Sequence, residues 1–175
     1  MSIAIGRDLA LPSGQIVRLR GFRDGDHARL AEIRRLAFPG GPWSEAEVRD
    51  GHGAWDNNRY AFFRVVAEGA DGRMVGFGRI SHEPWEFHAR GYGMNLMVEP
   101  AHRRRGVGTA IYEALIAELR RWDAAAVRAC VVTETMSESI AFLWHRGFVE
   151  MEQSIARTTL VARPPRLIRF VKAPV

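Results

Sequence analysis

The residues best suited to chemistry stand together in the middle of the chain. Three consecutive arginines, at positions 103 to 105, precede Gly106 and Gly108. An apolar segment ending at Val98 and Pro100 comes before them, and apolar residues with a helical period follow. Backbone N–H groups at the start of a helix, the helix dipole and cationic side chains all favour an anion with several phosphate oxygens. The spacing therefore predicts a phosphate-binding turn between a strand and a helix.

Two well-known phosphate-binding motifs do not match this segment. A Walker loop needs a Gly-Lys pair, and the only lysine of the chain is Lys172. A dinucleotide fingerprint needs a third glycine at position 111, where the chain has Ile111. These mismatches argue against kinase and dehydrogenase functions and leave a cradle of the form R-x-x-G-x-G.

Alternating strands and helices are predicted to position this turn. Period-two and apolar runs predict strands at residues 16–22, 61–67, 74–81, 93–98, 127–132 and 148–155. Helical spacing and capping residues predict helices after Asp24, after Ser44, from Gly106 and over residues 137–145. Hairpins in the first half and crossover helices in the second half predict an α/β (α+β) domain with a mixed sheet.

Length and composition fit one globular domain. The chain has 175 residues, of which 47% are hydrophobic and 26% are charged. We expect a domain at residues 15–161, an N-terminal lead at residues 1–14 and a basic C-terminal tail at residues 162–175. The tail could be an added strand, a subunit contact or a loose end, and residues 158–161 could add an edge strand.

The cysteine content and the absence of long apolar runs suggest a compartment. The single cysteine, Cys130, excludes an intramolecular disulfide, a zinc site built on cysteine pairs and a CxxC motif. The N-terminus has no signal-peptide pattern, and no apolar run reaches 18 residues. We therefore expect a cytoplasmic protein with no membrane partner and no metal. Cys130 lies in an apolar run and is expected to pack as a small hydrophobe.

The formal net charge of +5 comes entirely from the C-terminal end. Every acidic residue lies at or before Glu152, and the basic residues up to that point balance them. The surplus consists of Arg157, Arg163, Arg166, Arg169 and Lys172. Because no basic face covers the whole chain, a nucleic-acid partner is not expected, although a tail that tethers RNA or DNA remains an alternative.

Two segments resemble the GNAT superfamily of acyl-CoA-dependent N-acetyltransferases. The run Leu96-x-Val98-x-Pro100-x-x-Arg103-Arg104-Arg105-Gly106-Val107-Gly108 is similar to the pyrophosphate-binding signature of that family. Residues 139–148 resemble its later helix, which ends in Gly-Phe. The resemblance extends from residue 15 to about residue 161. It implies a single-domain, mostly antiparallel mixed sheet flanked by helices, with splayed central strands and acetyl-CoA as the co-substrate.

The resemblance also assigns roles to residues of this chain. It implies that the backbone at Leu96 to Val98 runs beside the pantetheine arm and that the N–H of Val98 polarises the thioester carbonyl. It implies that the turn holds the pyrophosphate and that two residues of the later helix flank the thiol. The implied co-substrate-binding residues are Leu96, Met97, Val98, Arg103, Arg104, Arg105, Gly106, Val107, Gly108, Thr109, Phe142 and Leu143.

Transfer of an acetyl group to an amine also needs a base. A lysine-like amine, with a pKa of about 10.4, is almost wholly protonated at neutral pH, so a base accelerates its attack. Candidates between the third and fourth predicted strands are His82, Glu83, Glu86 and His88. We favour Glu83, with Glu134 in reserve.

The sequence departs from the family pattern where a general acid is expected. The family often has a tyrosine at the position of Leu143 and an asparagine at the position of Met136. Ser137, Ser139, Tyr92 or ordered water could instead protonate the leaving thiolate, and we name Ser137 as the candidate.

These observations lead to a first hypothesis and to one rival of another class. The first is an N-acetyltransferase that moves an acetyl group from acetyl-CoA to a primary amine, of a small molecule, by direct attack. The rival, motivated by Leu143 and Met136, is a non-catalytic acyl-CoA-binding regulatory domain. The terminal segments make a homodimer plausible.

Overall fold

The computed structural model describes residues 5–37, 44–53, 60–82, 89–132, 137–155 and 166–172, with the backbone alone for residues 130–132, 151–155 and 166–171. The strands are β1 (Asp8–Ala10), β2 (Ile16–Gly21), β3 (Phe62–Gly69), β4 (Met74–Ser81), β5 (Gly91–Val98), β6 (Ala126–Val132), β7 (Val149–Ile155) and β8 (Arg166–Lys172). The helices are α1 (His27–Ala37), α2 (Glu45–Gly53), α3 (Val107–Arg121) and α4 (Ser137–His145).

The eight strands form one sheet in the order β1-β2-β3-β4-β5-β6-β8-β7. The pair β5 and β6 is parallel, and the other neighbouring pairs are antiparallel. Helices pack on the sheet, so the predicted mixed and mostly antiparallel α/β fold is confirmed. Strand β1 lies within the segment that the sequence analysis describes as an N-terminal lead.

The two parallel strands part along their length. Their ladder runs from Gly91 opposite Ala126 to Met94 opposite Ala129, and β5 then continues to Val98 beside β4. The carboxyl-terminal half of β5 therefore has an open edge where β6 would otherwise pair with it. This is the splay of the central strands that the resemblance implies.

Helix α3 packs on β4 at the point where β4 presents two glycines to it. A Cβ atom at Gly76 would lie 2.7 Å from Ile111 Cδ1, and one at Gly78 would collide with Ile111 Cγ2. Ile111, Leu115 and Leu119 are fully buried against this face. A larger residue at either of these two positions would collide with Ile111, so the two glycines allow α3 to pack directly on β4.

The opposite face of the sheet carries α1 and α2. Leu30 and Ile33 of α1 and Val48 of α2 pack on Phe77 of β4 and Met97 of β5. Since neighbouring residues of a strand point to opposite faces, Met97 faces α1 while Leu96 and Val98 face α3.

The C-terminal strand β8 lies inside the sheet, between β6 and β7. Val127 of β6 pairs with Lys172, and Val149 of β7 pairs with Val171. The alternation of apolar and basic residues in this segment suits a strand. Of the three alternatives for this segment, the structure shows the added strand.

Removal of β8 should destabilise the domain. A chain ending at residue 165 loses both ladders that β8 forms, and each backbone hydrogen bond contributes about 1 kcal/mol net. We expect the melting temperature, measured by circular dichroism, to fall by about 10 °C or more, relative to a chain that ends at Lys172. Equal melting temperatures of the two chains would show that the strand adds nothing to stability.

Candidate active site

A cavity of about 600 Å³ opens where β5 and β6 part. Its walls are the open half of β5, the turn before α3, the first turn of α3 and one side of α4. Both faces of the sheet contribute, because Leu96 and Val98 line the cavity together with Asn95 and Met97. The gap between the strands therefore connects the α3 side of the sheet with the α1 side.

The turn before α3 has the conformation of an anion-binding cradle. Gly106 is the N-cap of α3, with φ of +93°, and makes no side-chain cap hydrogen bond. The first helical bond runs from the N–H of Ala110 to the carbonyl oxygen of Gly106, at 3.0 Å. The N–H groups of the first turn therefore have no carbonyl partner within the helix, and an anion can accept their hydrogen bonds.

The segment between β1 and β2 packs against this turn through Pro12 and Ser13. Ser13 Oγ donates to the carbonyl oxygen of Arg105 at 2.9 Å. A Cβ at Gly106 would lie 3.1 Å from Pro12 Cδ. On the strand side, Arg103 Nε donates to the carbonyl oxygen of Val98 at 3.2 Å. The shape of the cradle therefore depends on residues before β2 as well as on its own glycines.

The structure brings most of the predicted co-substrate residues together. Those that line the cavity are Leu96, Met97, Val98, Arg103, Arg104, Gly106, Gly108, Thr109, Phe142 and Leu143. Two predicted residues are not part of the wall: Arg105 is exposed, and Val107 is buried in the core beneath α3.

The predicted catalytic side chains are less well placed or not described. Ser137 is exposed at the first residue of α4, and its neighbours Glu138 and Ser139 line the cavity instead. Glu83 lies outside the described residues. Three other candidates for the base also lie outside the described residues: Glu86, His88 and Glu134. So does Met136, where the family often has an asparagine.

His82 and Tyr92 form a packed pair away from the cradle. His82 Nδ1 accepts the N–H of Ala61 at 3.1 Å, and the two rings stack with centroids 4.6 Å apart. The Tyr92 hydroxyl donates to the carbonyl oxygen of Ala89, and burial raises its pKa. Neither residue lines the cavity. Tyr92 lies six residues before Val98, about 20 Å along the strand.

Several residues of the wall were not predicted from the sequence, and Arg146 is the arginine among them. Its guanidinium donates to Thr109 Oγ1 at 2.8 Å. Its central carbon lies 5.0 Å from the ring centroid of Tyr112 and 5.2 Å from that of Phe142. In the sequence, the one feature that could have indicated Arg146 is its position just before Gly147, in the segment that resembles the later helix of the family.

The α1 side of the sheet is rich in cationic groups. Arg64 lies opposite Arg79 across β3 and β4, and its NH1 atom lies 3.3 Å from His52 Nδ1. Burial, together with these positive neighbours, lowers the pKa of His52 to about 3. Burial, and then the charge of Arg79, lowers the pKa of Arg34 to about 10. His52 is therefore neutral at physiological pH.

A profile of the acetyltransferase (GNAT) family matches residues 27–148. The chain belongs to the acetyltransferase (GNAT) family. Membership confirms the expected enzyme class, an acyltransferase, and acetyl-CoA as its co-substrate. The uncapped first turn of α3, the cationic walls and the open edge of β5 fit such a molecule.

Solved structures of other GNAT enzymes share the fold. An N-acetyltransferase from Staphylococcus aureus is 15% identical, with a TM-score of 0.76 over 90% of this chain and 98% of that one. A phosphinothricin acetyltransferase from Sinorhizobium meliloti in complex with acetyl-CoA is 21% identical, with a TM-score of 0.72 over 90% and 88%. A ribosomal-protein-alanine N-acetyltransferase from Brucella melitensis is 22% identical, with a TM-score of 0.74 over 89% and 98%. No curated protein sequence matches the chain significantly.

Two features are absent from the described part of this GNAT chain. Within the described ranges, no helix has the length and apolar content needed to cross a bilayer. In the same part of the chain, no three His, Cys, Asp or Glu side chains are grouped to hold a metal ion.

Gly108 offers a test of the cradle that leaves the fold intact. A Cβ there would lie 3.6 Å from Val98 Cγ2 and 3.7 Å from Leu96 Cδ2, which is ordinary contact. A glutamate is favourable in the first turn of a helix but repels a bound pyrophosphate, by about 3 kcal/mol at 5 Å and an effective dielectric constant of about 20. We expect Gly108→Glu to weaken acetyl-CoA binding, measured by calorimetry, about 100-fold.

Gly51→Glu is the matched control for this substitution. Gly51 is also a helical glycine, and a Cβ there would meet nothing within 4 Å. The control adds the same charge to α2, which contributes no residue to the cavity wall. Equal acetyl-CoA affinity of the two variants would contradict the placement of the pyrophosphate at α3.

Proposed function

We propose that this GNAT protein transfers the acetyl group of acetyl-CoA to a primary amine of a small molecule by direct attack. The observation that carries the proposal is the cavity that connects the two faces of the sheet. One face presents the cradle and the side chains of Leu96 and Val98, and the other presents Asn95 and Met97. A co-substrate held on the α3 side and an amine arriving from the α1 side would meet in the gap.

On the α3 side, each part of the cavity has a proposed role in binding acetyl-CoA. The N–H groups of the first turn of α3 and the arginines of the turn hold the phosphates. The open edge of β5 binds the pantetheine arm, and the N–H of Val98 donates to the thioester carbonyl oxygen. Phe142 and Leu143 of α4 exclude water near the sulfur.

Glu83 is the proposed base, and it takes the proton that the amine must lose, directly or through a water molecule. Ser137, exposed at the start of α4, donates a hydrogen bond to the leaving thiolate, which takes its proton from water. The bond between nitrogen and the acetyl carbon forms while the bond between that carbon and sulfur breaks, so no covalent intermediate with the protein is needed.

The small size of the acceptor is part of the proposal. The cavity of about 600 Å³ is within the range of small-molecule sites and would hold acetyl-CoA as well as the reacting end of the acceptor, which favours a compact acceptor. The similar structures include an enzyme named for phosphinothricin and another named for a ribosomal protein. The names of these neighbours thus include both a small molecule and a protein.

The setting completes the proposal. We place the protein in the cytoplasm, on the strength of its single cysteine. A homodimer is kept as one candidate assembly. Nucleic acid is not among the proposed partners, because β8, which carries part of the charge surplus, lies within the sheet.

A panel of primary amines tests the reaction itself. Release of the CoA thiol should occur with acetyl-CoA and at least one small amine, and mass spectrometry should find the acetylated amine. Tight binding of acetyl-CoA with no transfer to any amine, or to peptide N-termini, would favour the non-catalytic regulatory domain. Leu143, where the family often has a tyrosine, is the observation behind that second candidate.

The pH dependence of a Glu83→Gln variant tests the base. Loss of the carboxylate should slow transfer about 100-fold or more at pH 7. The deficit should shrink as the pH approaches the amine pKa of about 10.4, because more of the amine is then neutral without help. Glu134→Gln is the comparison: full activity of the Glu83 variant with loss of activity in the Glu134 variant would transfer the role to Glu134.

A further inference from the structure

Arg146 places a cation at the phosphate end of the cavity. It follows α4 in the chain, and its NH2 atom donates to Thr109 Oγ1 in the first turn of α3. Within the described part of the chain, its guanidinium pairs with Glu113, whose Oε1 lies 3.9 Å from NH1, beyond hydrogen-bond distance. Because a guanidinium has five N–H donors in a fixed fork, donors remain for a ligand in the cavity.

The surroundings of this guanidinium suit a phosphate oxygen. It lies beside the uncapped N-terminus of α3, where the N–H groups and the helix dipole already favour negative charge. Arginine forms short, charge-assisted hydrogen bonds to phosphates, often two at once. The hydroxyl of Thr109 and the rings of Tyr112 and Phe142 hold the guanidinium plane in place.

The only lysine of the chain supports Arg146 from the C-terminal strand. Lys172 Nζ donates to the backbone carbonyl oxygen of Arg146 at 2.7 Å and to the Tyr112 hydroxyl at 3.0 Å. The first bond places a cation at the carboxyl end of α4, where the helix dipole favours it. The second fixes the ring over which the Arg146 guanidinium lies. Lys172 therefore holds in place both the backbone of Arg146 and the Tyr112 ring on which its guanidinium packs.

We propose that Arg146 donates hydrogen bonds to a phosphate of acetyl-CoA and that Lys172, on β8, is the positioning residue that holds it there. The C-terminal strand thus contributes to the affinity for the co-substrate through Lys172, which is not itself a residue of the cavity wall. The proposal concerns the binding of acetyl-CoA and does not depend on the acceptor.

The test measures binding of three ligands that differ in their phosphates. Acetyl-CoA carries the pyrophosphate and the 3′-phosphate, acetyl-dephospho-CoA retains the pyrophosphate, and S-acetylpantetheine has neither. Arg146→Gln should weaken acetyl-CoA binding about tenfold to a hundredfold, as expected for a lost hydrogen bond to a charged group. Its affinity for S-acetylpantetheine, followed by ligand-observed NMR, should not change.

The middle ligand identifies which phosphate Arg146 binds. If acetyl-dephospho-CoA loses affinity as acetyl-CoA does, the partner is the pyrophosphate. If only acetyl-CoA loses affinity, the partner is the 3′-phosphate. Both results support the proposal.

Lys172→Met tests the positioning role. It keeps the length of the side chain and removes the donors, so acetyl-CoA binding should weaken by a smaller factor, about threefold to tenfold, again without effect on S-acetylpantetheine. On this background Arg146→Gln should cost less than it does in the wild-type chain, because the guanidinium is no longer held. Lys172→Arg, which restores a donor, should recover part of the loss.

Arg121→Gln is the control for net charge, since Arg121 is highly exposed at the end of α3 and pairs with Glu118. It should leave all three affinities unchanged. Three results would overturn the proposal: unchanged acetyl-CoA binding in Arg146→Gln, an equal loss for S-acetylpantetheine, or additive effects of the Arg146 and Lys172 substitutions. None of these results bears on amine transfer, so the proposed function stands or falls separately.

Discussion

The parting of β5 from β6 is the constraint on which the site depends. The two strands share hydrogen bonds only as far as Met94 and Ala129, and the rest of β5 keeps one open edge. In a continuous ladder those backbone groups would be consumed by strand pairing, and there would be no opening between the two faces of the sheet. The cavity, its access from both sides and the backbone available to a pantetheine arm all result from this interruption.

The second requirement is that the positive end of α3 be aimed at that opening. Gly76 and Gly78 let Ile111 approach the sheet, and the buried row of α3 anchors the helix there. Gly106 then turns the chain with a positive φ that side chains tolerate poorly, while Pro12 and Ser13 support the turn. Helix α3 therefore has two functions, since its buried side chains form part of the core and its N-terminus binds the anion.

Three of the five surplus basic residues of the chain lie in β8, which is part of the sheet. In the sequence it is a run of basic residues after a balanced domain, which suggests an appendage. In the structure the segment lies between β6 and β7, and Lys172 reaches α3 and the end of α4. Positive charge near the cavity therefore comes from the turn before α3 and from Arg146, which Lys172 of β8 holds in place.

The sequence alone determined the local features. The bounds of α4, the strand before the cradle, the glycines of the turn and the family all follow from short-range spacing, because helices, strands and caps depend on residues a few positions apart. Tertiary structure alone decided the position of β8 and the contact between Arg146 and Thr109, residues 37 positions apart. Strand order and side-chain contacts of that kind depend on which distant surfaces pack together, and no local pattern records that choice.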